Sequence, residues 1–354
     1  MRTEFKNVVR ISSVYAASTI GAAFASGQEI IKFFTRFEVK SFSGVLLAGV
    51  LFSFVAVAVL DIVYKRKVNN SRELLHILGG HYIGSFFEGI SLVFTFCIYI
   101  VMIAGAAALW QRLTGFSEAI GVILLAMLCT VLIFFNIRGV IAVSGILTPI
   151  MIGGMLYLGI RVIMQSRPVF SAGKTVIDVN WLIFAVLYVC YNSILNILVM
   201  ASMYPWLTTR RTAIISGIVG GNALLVPMCI LNKALYINFN SIHYAELPMV
   251  ELSVTTGKLG FIAYSLILTF ALLTTAISSG FCCVDRLAQI SRKPRWVLNI
   301  CMGLIVIPLA KQGFSNMIDK IYPFFGYIGS ILFILLIYRW IKILKEERKG
   351  HTLK

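Results

Sequence analysis

Residues 13–30 read Ser13-Val14-Tyr15-Ala16-Ala17-Ser18-Thr19-Ile20-Gly21-Ala22-Ala23-Phe24-Ala25-Ser26-Gly27-Gln28-Glu29-Ile30. The stretch starts as an apolar helix and then loses the means to stay one. Each glycine weakens a helix by about 1 kcal/mol, and Gln28 and Glu29 set an amide and a carboxylate directly after the second. At membrane depth an unpaired backbone group costs several kcal/mol, so irregular backbone persists there only where protein buries it or a wet cavity receives it. Close packing through small residues is the plainer reading of such a segment. A broken helix is the reading taken here, because it frees carbonyls that can bind a cation and N–H groups that can bind a carboxylate.

The rest of the chain places this segment in a bilayer. Of 354 residues, 59% are hydrophobic and 13% charged, about half the charged share of a soluble domain; the mean hydropathy is +0.91. The apolar residues form long runs such as Ser43–Tyr64, interrupted only by Asp61. About 22 residues at about 1.5 Å rise span a bilayer core. Ten spans are expected, near 8–35, 43–64, 83–110, 119–137, 139–163, 180–204, 212–232, 259–287, 296–311 and 316–344. The longest loop, about Asn232–Lys258, is expected to hold a short helix around Pro248–Val254. The fold class is therefore an all-α polytopic membrane protein. The whole chain, 1–354, forms a single transmembrane domain.

The formal charge of +17 would suggest nucleic acid in a soluble protein. Here Lys and Arg sit in short connectors and tails, and no basic stripe interleaves with aromatics, so nucleic acid is excluded as a partner. With the N-terminus in the cytoplasm, twenty basic residues fall inside and ten outside, with Lys32 within the first span. That bias favours both termini in the cytoplasm. All seven cysteines lie in hydrophobic segments without metal-ligand spacing and are read as packing. No side chain is placed as a base for catalysis, so no enzyme is expected.

Two further spans carry polar interruptions. The sixth contains Tyr188, Tyr191, Asn192, Ser193 and Asn196, and Tyr188, Tyr191 and Asn192 share a face at i, i+3, i+4. It is expected to be broken like the first. Paired interruptions in corresponding helices of two halves, 1–165 and 178–345, point to a five-plus-five inverted repeat with its site between them. The eighth span carries Thr275, Ser278 and Ser279 at the same spacing, a stripe of neutral oxygens suited to Na⁺; the alternative is back-bonding to their own helix. Intramembrane carboxylates default to functional hypotheses. Glu29 could be a proton site, a helix-start charge or one half of an ion pair with Lys32. Glu88 is read as structural, and Asp61 and Asp285 as paired with neighbouring basic residues.

The segment Ile20–Ile30 closely resembles the GAGFASGQE signature of the bacterial YkvI-type membrane proteins, departing from it at Ala23, where the signature has glycine. The span pattern resembles the amino acid–polyamine–cation superfamily with the leucine-transporter-type fold, over the whole chain. That resemblance implies a secondary transporter of the cell membrane, coupled to Na⁺ or H⁺, with no cofactor, taking an amino acid or similar small zwitterion. It makes Gly21 and Phe24 carbonyl donors to Na⁺, with the Thr275 carbonyl and the Ser278 and Ser279 hydroxyls. It sets the solute against Ala22, Ala25, Ser26, Gly27, Tyr188, Tyr191, Asn192 and Tyr99. The alternatives are a ligand sensor resembling germinant-receptor membrane subunits, and a proton-coupled transporter that uses Glu29. Neither the solute nor the oligomeric state is legible.

Overall fold

A computed structural model describes residues 2–134, 137–165 and 180–351. Arg167, Lys174 and Lys354 of the charge pattern, and residues 178–179 at the start of the expected second half, lie outside the described residues. Among those described, every regular element is helical. In chain order they are α1 (Arg2–Thr19), α2 (Ala22–Ala25), α3 (Gln28–Phe33), α4 (Lys40–Arg66), α5 (Ser71–Thr114), α6 (Glu118–Phe134) and α7 (Ile137–Gln165). There follow α8 (Asn180–Ala201), α9 (Arg210–Ile237), α10 (Phe239–Ile242), α11 (Pro248–Ser253), α12 (Lys258–Ser291), α13 (Arg295–Ala310) and α14 (Phe314–His351).

Among the described residues, seven helices are long and apolar enough to cross a membrane: α4, α5, the Leu147–Gln165 part of α7, α8, α9, α12 and α14. Helices α6 and α13 are apolar but shorter, and the first expected span is divided into α1, α2 and α3. The chain is a multi-pass α-helical membrane protein. Helix α5 begins well before the expected 83, and Gly80, at φ 73° and ψ −173°, kinks it after its second turn. Glycine alone adopts that backbone readily. The short helix expected in the long loop is present as α11.

The sixth span does not break. Helix α8 runs unbroken from Asn180 to Ala201, which corrects the expected second interruption. The reason lies in its polar side chains. Asn192 Nδ2 donates to the Tyr188 carbonyl at 2.9 Å and Ser193 Oγ to the Val189 carbonyl at 2.6 Å. These polar groups satisfy themselves on their own helix, so they do not need an opened backbone.

Helices α4 and α9 pack along a glycine seam. A Cβ on Gly217 would lie 2.6 Å from the Val57 amide nitrogen, and one on Gly221 would collide with Ser53. Small residues let membrane helices approach this closely. Buried polar groups fasten both ends of the pair. At the end near the chain termini, Asp61 accepts from Arg210 Nε at 2.9 Å and Trp340 Nε1 at 2.8 Å and pairs with Lys65 at 3.1 Å. At the other end, Asn232 Nδ2 donates to Ser41 Oγ at 3.0 Å while its Oδ1 accepts from Thr35 Oγ1 at 3.0 Å. Replacing Gly221 with valine should cost about 1–3 kcal/mol by overpacking and lower the thermal unfolding midpoint in detergent. Gly89→Ala, where nothing lies within 4 Å of the added Cβ, should leave the midpoint nearly unchanged.

Candidate functional site

The first span breaks twice. Helix α1 closes with the Ile20 amide on the Ala16 carbonyl at 2.9 Å, and the next amide to reach back is that of Ala25, to Gly21 at 3.1 Å. The amides of residues 21–24 close no helical bond across the gap, which leaves the carbonyls of Ala17, Ser18, Thr19 and Ile20 without backbone partners among the described residues. Gly21 is extended at φ −101° and ψ −177°, and Gly27 is left-handed at φ 87°. The broken first helix is thus present, and it presents free carbonyls where a cation is best served.

Two adjoining cavities meet at this break. One, of about 260 Å³, is lined by Ala17, Ser18, Ile20 and Gly21 of the break and by Thr275, Ser278 and Ser279 of α12. The eighth-helix stripe therefore faces the break, as expected. Thr275 Oγ1 donates to the Ala271 carbonyl at 2.7 Å, so its hydroxyl is spent on its own helix. Of the two expected carbonyl donors, Gly21 lines both cavities, with one lone pair of its carbonyl accepting the Ala25 amide at 3.1 Å, whereas Phe24 lines neither, its carbonyl accepting the Gly27 amide at 3.0 Å. Of the four carbonyls without backbone partners, those of Ala17 and Ile20, also three apart and one turn earlier, belong to residues that line this cavity.

The second cavity, of about 190 Å³, is lined by Ala22, Ala23, Glu29, Phe94, Tyr191, Asn192 and Tyr322, and shares Thr275 and Ser279 with the first. Of the expected solute residues it contains Ala22, Tyr191 and Asn192. Tyr188 stands behind it, fully buried, its hydroxyl donating to Glu29 Oε2 at 3.4 Å. Tyr99 is buried against Gly280 and lines neither cavity. Ala25, Ser26 and Gly27 are turned the other way. The Ala25 carbonyl accepts from Tyr264 at 2.6 Å, the Ser26 carbonyl from the Met249 amide at 3.0 Å, and Gly27 packs on Met249 and Leu235. They hold α11 over the break. Gln28 adds to that seal, donating to the Ala245 carbonyl at 2.6 Å.

Glu29 is buried, at 6% exposure, and its expected partner Lys32 is engaged elsewhere: Lys32 pairs with Asp319 of α14, and Arg36 approaches the same carboxylate at 3.9 Å. Glu29 forms no ion pair among the described residues. Glu88 pairs with Arg286 at 2.8 Å and with Arg72 at 2.9 Å, and Asp285 pairs with Arg295, as read from the sequence. Glu88, Arg72 and Arg286 border a third, larger cavity of about 660 Å³ on the side of the chain termini. Leu195 of α8 lines the inner cavity and Leu198, one turn on, the outer.

Sequence reasoning missed several lining residues. Asn196 clamps α8 to the end of α1, its Nδ2 donating to Thr19 Oγ1 at 2.9 Å and its Oδ1 accepting from Ser18 Oγ at 3.0 Å. Its place at i+4 from Asn192 was a usable signal. Nothing local pointed to Phe94 or Tyr322.

No family model matches the chain. It is 23% identical over 320 residues to the uncharacterized protein YyaD of Bacillus subtilis (strain 168), covering 90% of this chain and 93% of that one. It is 22% identical over 335 residues to the uncharacterized membrane protein YkvI of the same organism, covering 92% and 93%. The chain is thus similar to both proteins over about nine-tenths of its length. Its fold is similar to that of Mhp1 in an inward-facing conformation, with a TM-score of 0.62 at 14% identity over 93% of this chain and 75% of that one. It is also similar to that of a manganese transporter of Eremococcus coleocola, with a TM-score of 0.57 at 13% identity over 92% and 77%. These likenesses show that the chain shares the fold of these two solved proteins.

The two glycines of the break make different demands. A Cβ on Gly27 would meet Met249 Cγ at 2.9 Å in a left-handed backbone, whereas Gly21 has nothing within 4 Å. Gly27→Ala should destabilise the protein by about 1–2 kcal/mol, read as a lower unfolding midpoint, and Gly21→Ala should be tolerated.

Proposed function

We propose that this protein is a secondary transporter of a small polar solute, not an enzyme, driven by a Na⁺ gradient across the cell membrane. The observation that carries the proposal is a cavity lined both by Ala17, Ser18 and Ile20 of a broken membrane helix, whose carbonyls have no backbone partner among the described residues, and by Ser278 and Ser279 of a second helix. In hydrocarbon such carbonyls are costly unless something answers them, and a monovalent cation coordinated by oxygens alone does so. The proposed ligands are the carbonyls of Ala17 and Ile20, the hydroxyls of Ser278 and Ser279, and the Thr275 carbonyl through its second lone pair. Na⁺ would tie α1 to α12 and shape the adjoining solute cavity, which shares Gly21, Ala22, Thr275 and Ser279 with the ion's cavity.

Ten spans, with the divided first segment and the shorter α6 and α13 completing the set, fit this reading, with both termini in the cytoplasm. The large cavity beside Glu88 would then be the cytoplasmic vestibule, and α11 the outer seal. The solute is a small molecule bearing polar groups, an amino acid or similar zwitterion by analogy of fold.

A second reading, proton coupling through Glu29, is favoured by one observation: the carboxylate is buried in the cavity without a cation. It predicts a solute-driven pH change that ignores Na⁺ and vanishes in Glu29→Gln.

Uptake by proteoliposomes should require an inward Na⁺ gradient. In detergent, Na⁺ should raise the unfolding midpoint in a saturable manner. The double variant Ser278→Ala/Ser279→Ala should shift the half-saturating Na⁺ concentration upward by about tenfold or more. Solute binding without counterflow would favour a sensor, and stabilisation equal in Na⁺ and K⁺ would count against the ion site.

A further inference from the structure

The solute cavity has a charge and a wall that the coupling scheme does not use. Glu29 lines it, buried and without an ion pair among the described residues. A buried carboxylate is stable as an anion only with a compensating partner, and the basic residue nearest along the helix, Lys32, is committed to Asp319. Asp61, the other fully buried carboxylate among the described residues, has its cations in Lys65 and Arg210, and Glu88 has Arg286. The missing cation of Glu29 is therefore expected from whatever enters the cavity.

The wall beside Glu29 is aromatic. Tyr191 and Tyr322 lie with ring centroids 4.9 Å apart, and Phe94 meets them edge-on at 6.1 and 6.2 Å. All three line the cavity. They come from α5, α8 and α14, so the chain assembles this wall from distant segments. Ring faces attract a cation that approaches them, a desolvated one most of all. The Tyr191 hydroxyl is a second pointer: it is buried, with 3% of the residue exposed, lies beside Glu29, and makes no hydrogen bond of ordinary geometry among the described residues. A buried hydroxyl in that condition calls for a ligand or an ordered water. Ile98 and Met102 complete an apolar floor.

We propose that this cavity binds an ammonium group, with Glu29 as its counter-charge and Phe94, Tyr191 and Tyr322 as its aromatic wall. The solute is then an amine or an amino acid docked by its ammonium end. The proposal rests on reading this cavity as the solute site, and it assigns to Glu29 the role of solute anchor in place of coupling proton site.

The test is binding to the full chain in detergent, without a gradient, so that it is separable from transport. Calorimetric titration would compare cation and neutral partner of one shape: choline against 3,3-dimethyl-1-butanol, n-butylammonium against n-butanol, and ethanolammonium against ethylene glycol. At least one cation should bind about tenfold or more tighter than its neutral partner. Glu29→Gln should abolish that preference, and Tyr322→Leu should weaken the preferred cation several-fold. Equal affinity within all three pairs, or no binding by any cation, would overturn the assignment, and it can be read in the unmodified protein even if the Glu29 variant fails to fold. A preference that survives in folded Glu29→Gln would overturn it equally, as a Glu29 acting only as a proton site requires. Glu29-dependent cation binding without gradient-driven uptake would leave the ammonium site standing and remove only the transport reading.

Discussion

The carbonyls at the end of α1 have no backbone donor to answer them among the described residues. Four successive backbone acceptors, from Ala17 to Ile20, lose their helical partners inside an apolar protein, and much of the surrounding architecture answers that loss. The Asn196 clamp holds the Ser18 and Thr19 side chains against α8. The hydroxyl-bearing face of α12 is brought opposite. Helix α11 closes over the far side through the Ser26–Met249 backbone bond. The break is confined to residues 20–21 and the Ser26–Gly27 turn, with a single helical turn between them. That confinement keeps the number of unpaired groups small while still giving a directional site.

Much of this was legible from residues alone. The apolar runs around Ser43–Tyr64 and their like become long helices because a 20-residue hydrophobic run has few other stable states in a bilayer. The glycines at 21 and 27 gave the place of the break, and the basic neighbours of Asp61 and Asp285 gave their partners. What stayed illegible had tertiary causes. The sixth helix looked broken because polarity alone does not tell a side chain that opens the backbone from one that bonds back to it, as Asn192 and Ser193 do. The register of the free carbonyls depended on where α2 restarts, which is a property of Gly21's extended backbone and not of its identity. Lys32 turned from Glu29 to Asp319, a residue 287 positions away, because α14 passes beside α3.

Polar groups in this protein divide by depth and partner. At the two ends of the bundle carboxylates and cations are matched, as with Asp61, Glu88 and Asp319. In the middle the matching stops: Glu29 and the Tyr191 hydroxyl are left over among aromatic rings. Other buried hydroxyls, such as those of Tyr99 and Ser265, are unpaired elsewhere in the core; what sets Glu29 and Tyr191 apart is that both line one cavity of about 190 Å³.

The glycine seam between α4 and α9 has a mechanical meaning. Two helices in backbone contact at Gly217 and Gly221, and pinned at each end by Asp61–Arg210 and by Ser41–Asn232, cannot slide or splay independently. They form one stiff beam. A beam that tilts about a point near its middle must carry its two ends in opposite senses. The end tied to Thr35 lies just beyond the broken helix, and the end tied to Trp340 lies beside the chain termini. A widening on one face of the protein is thereby geometrically linked to a narrowing on the other.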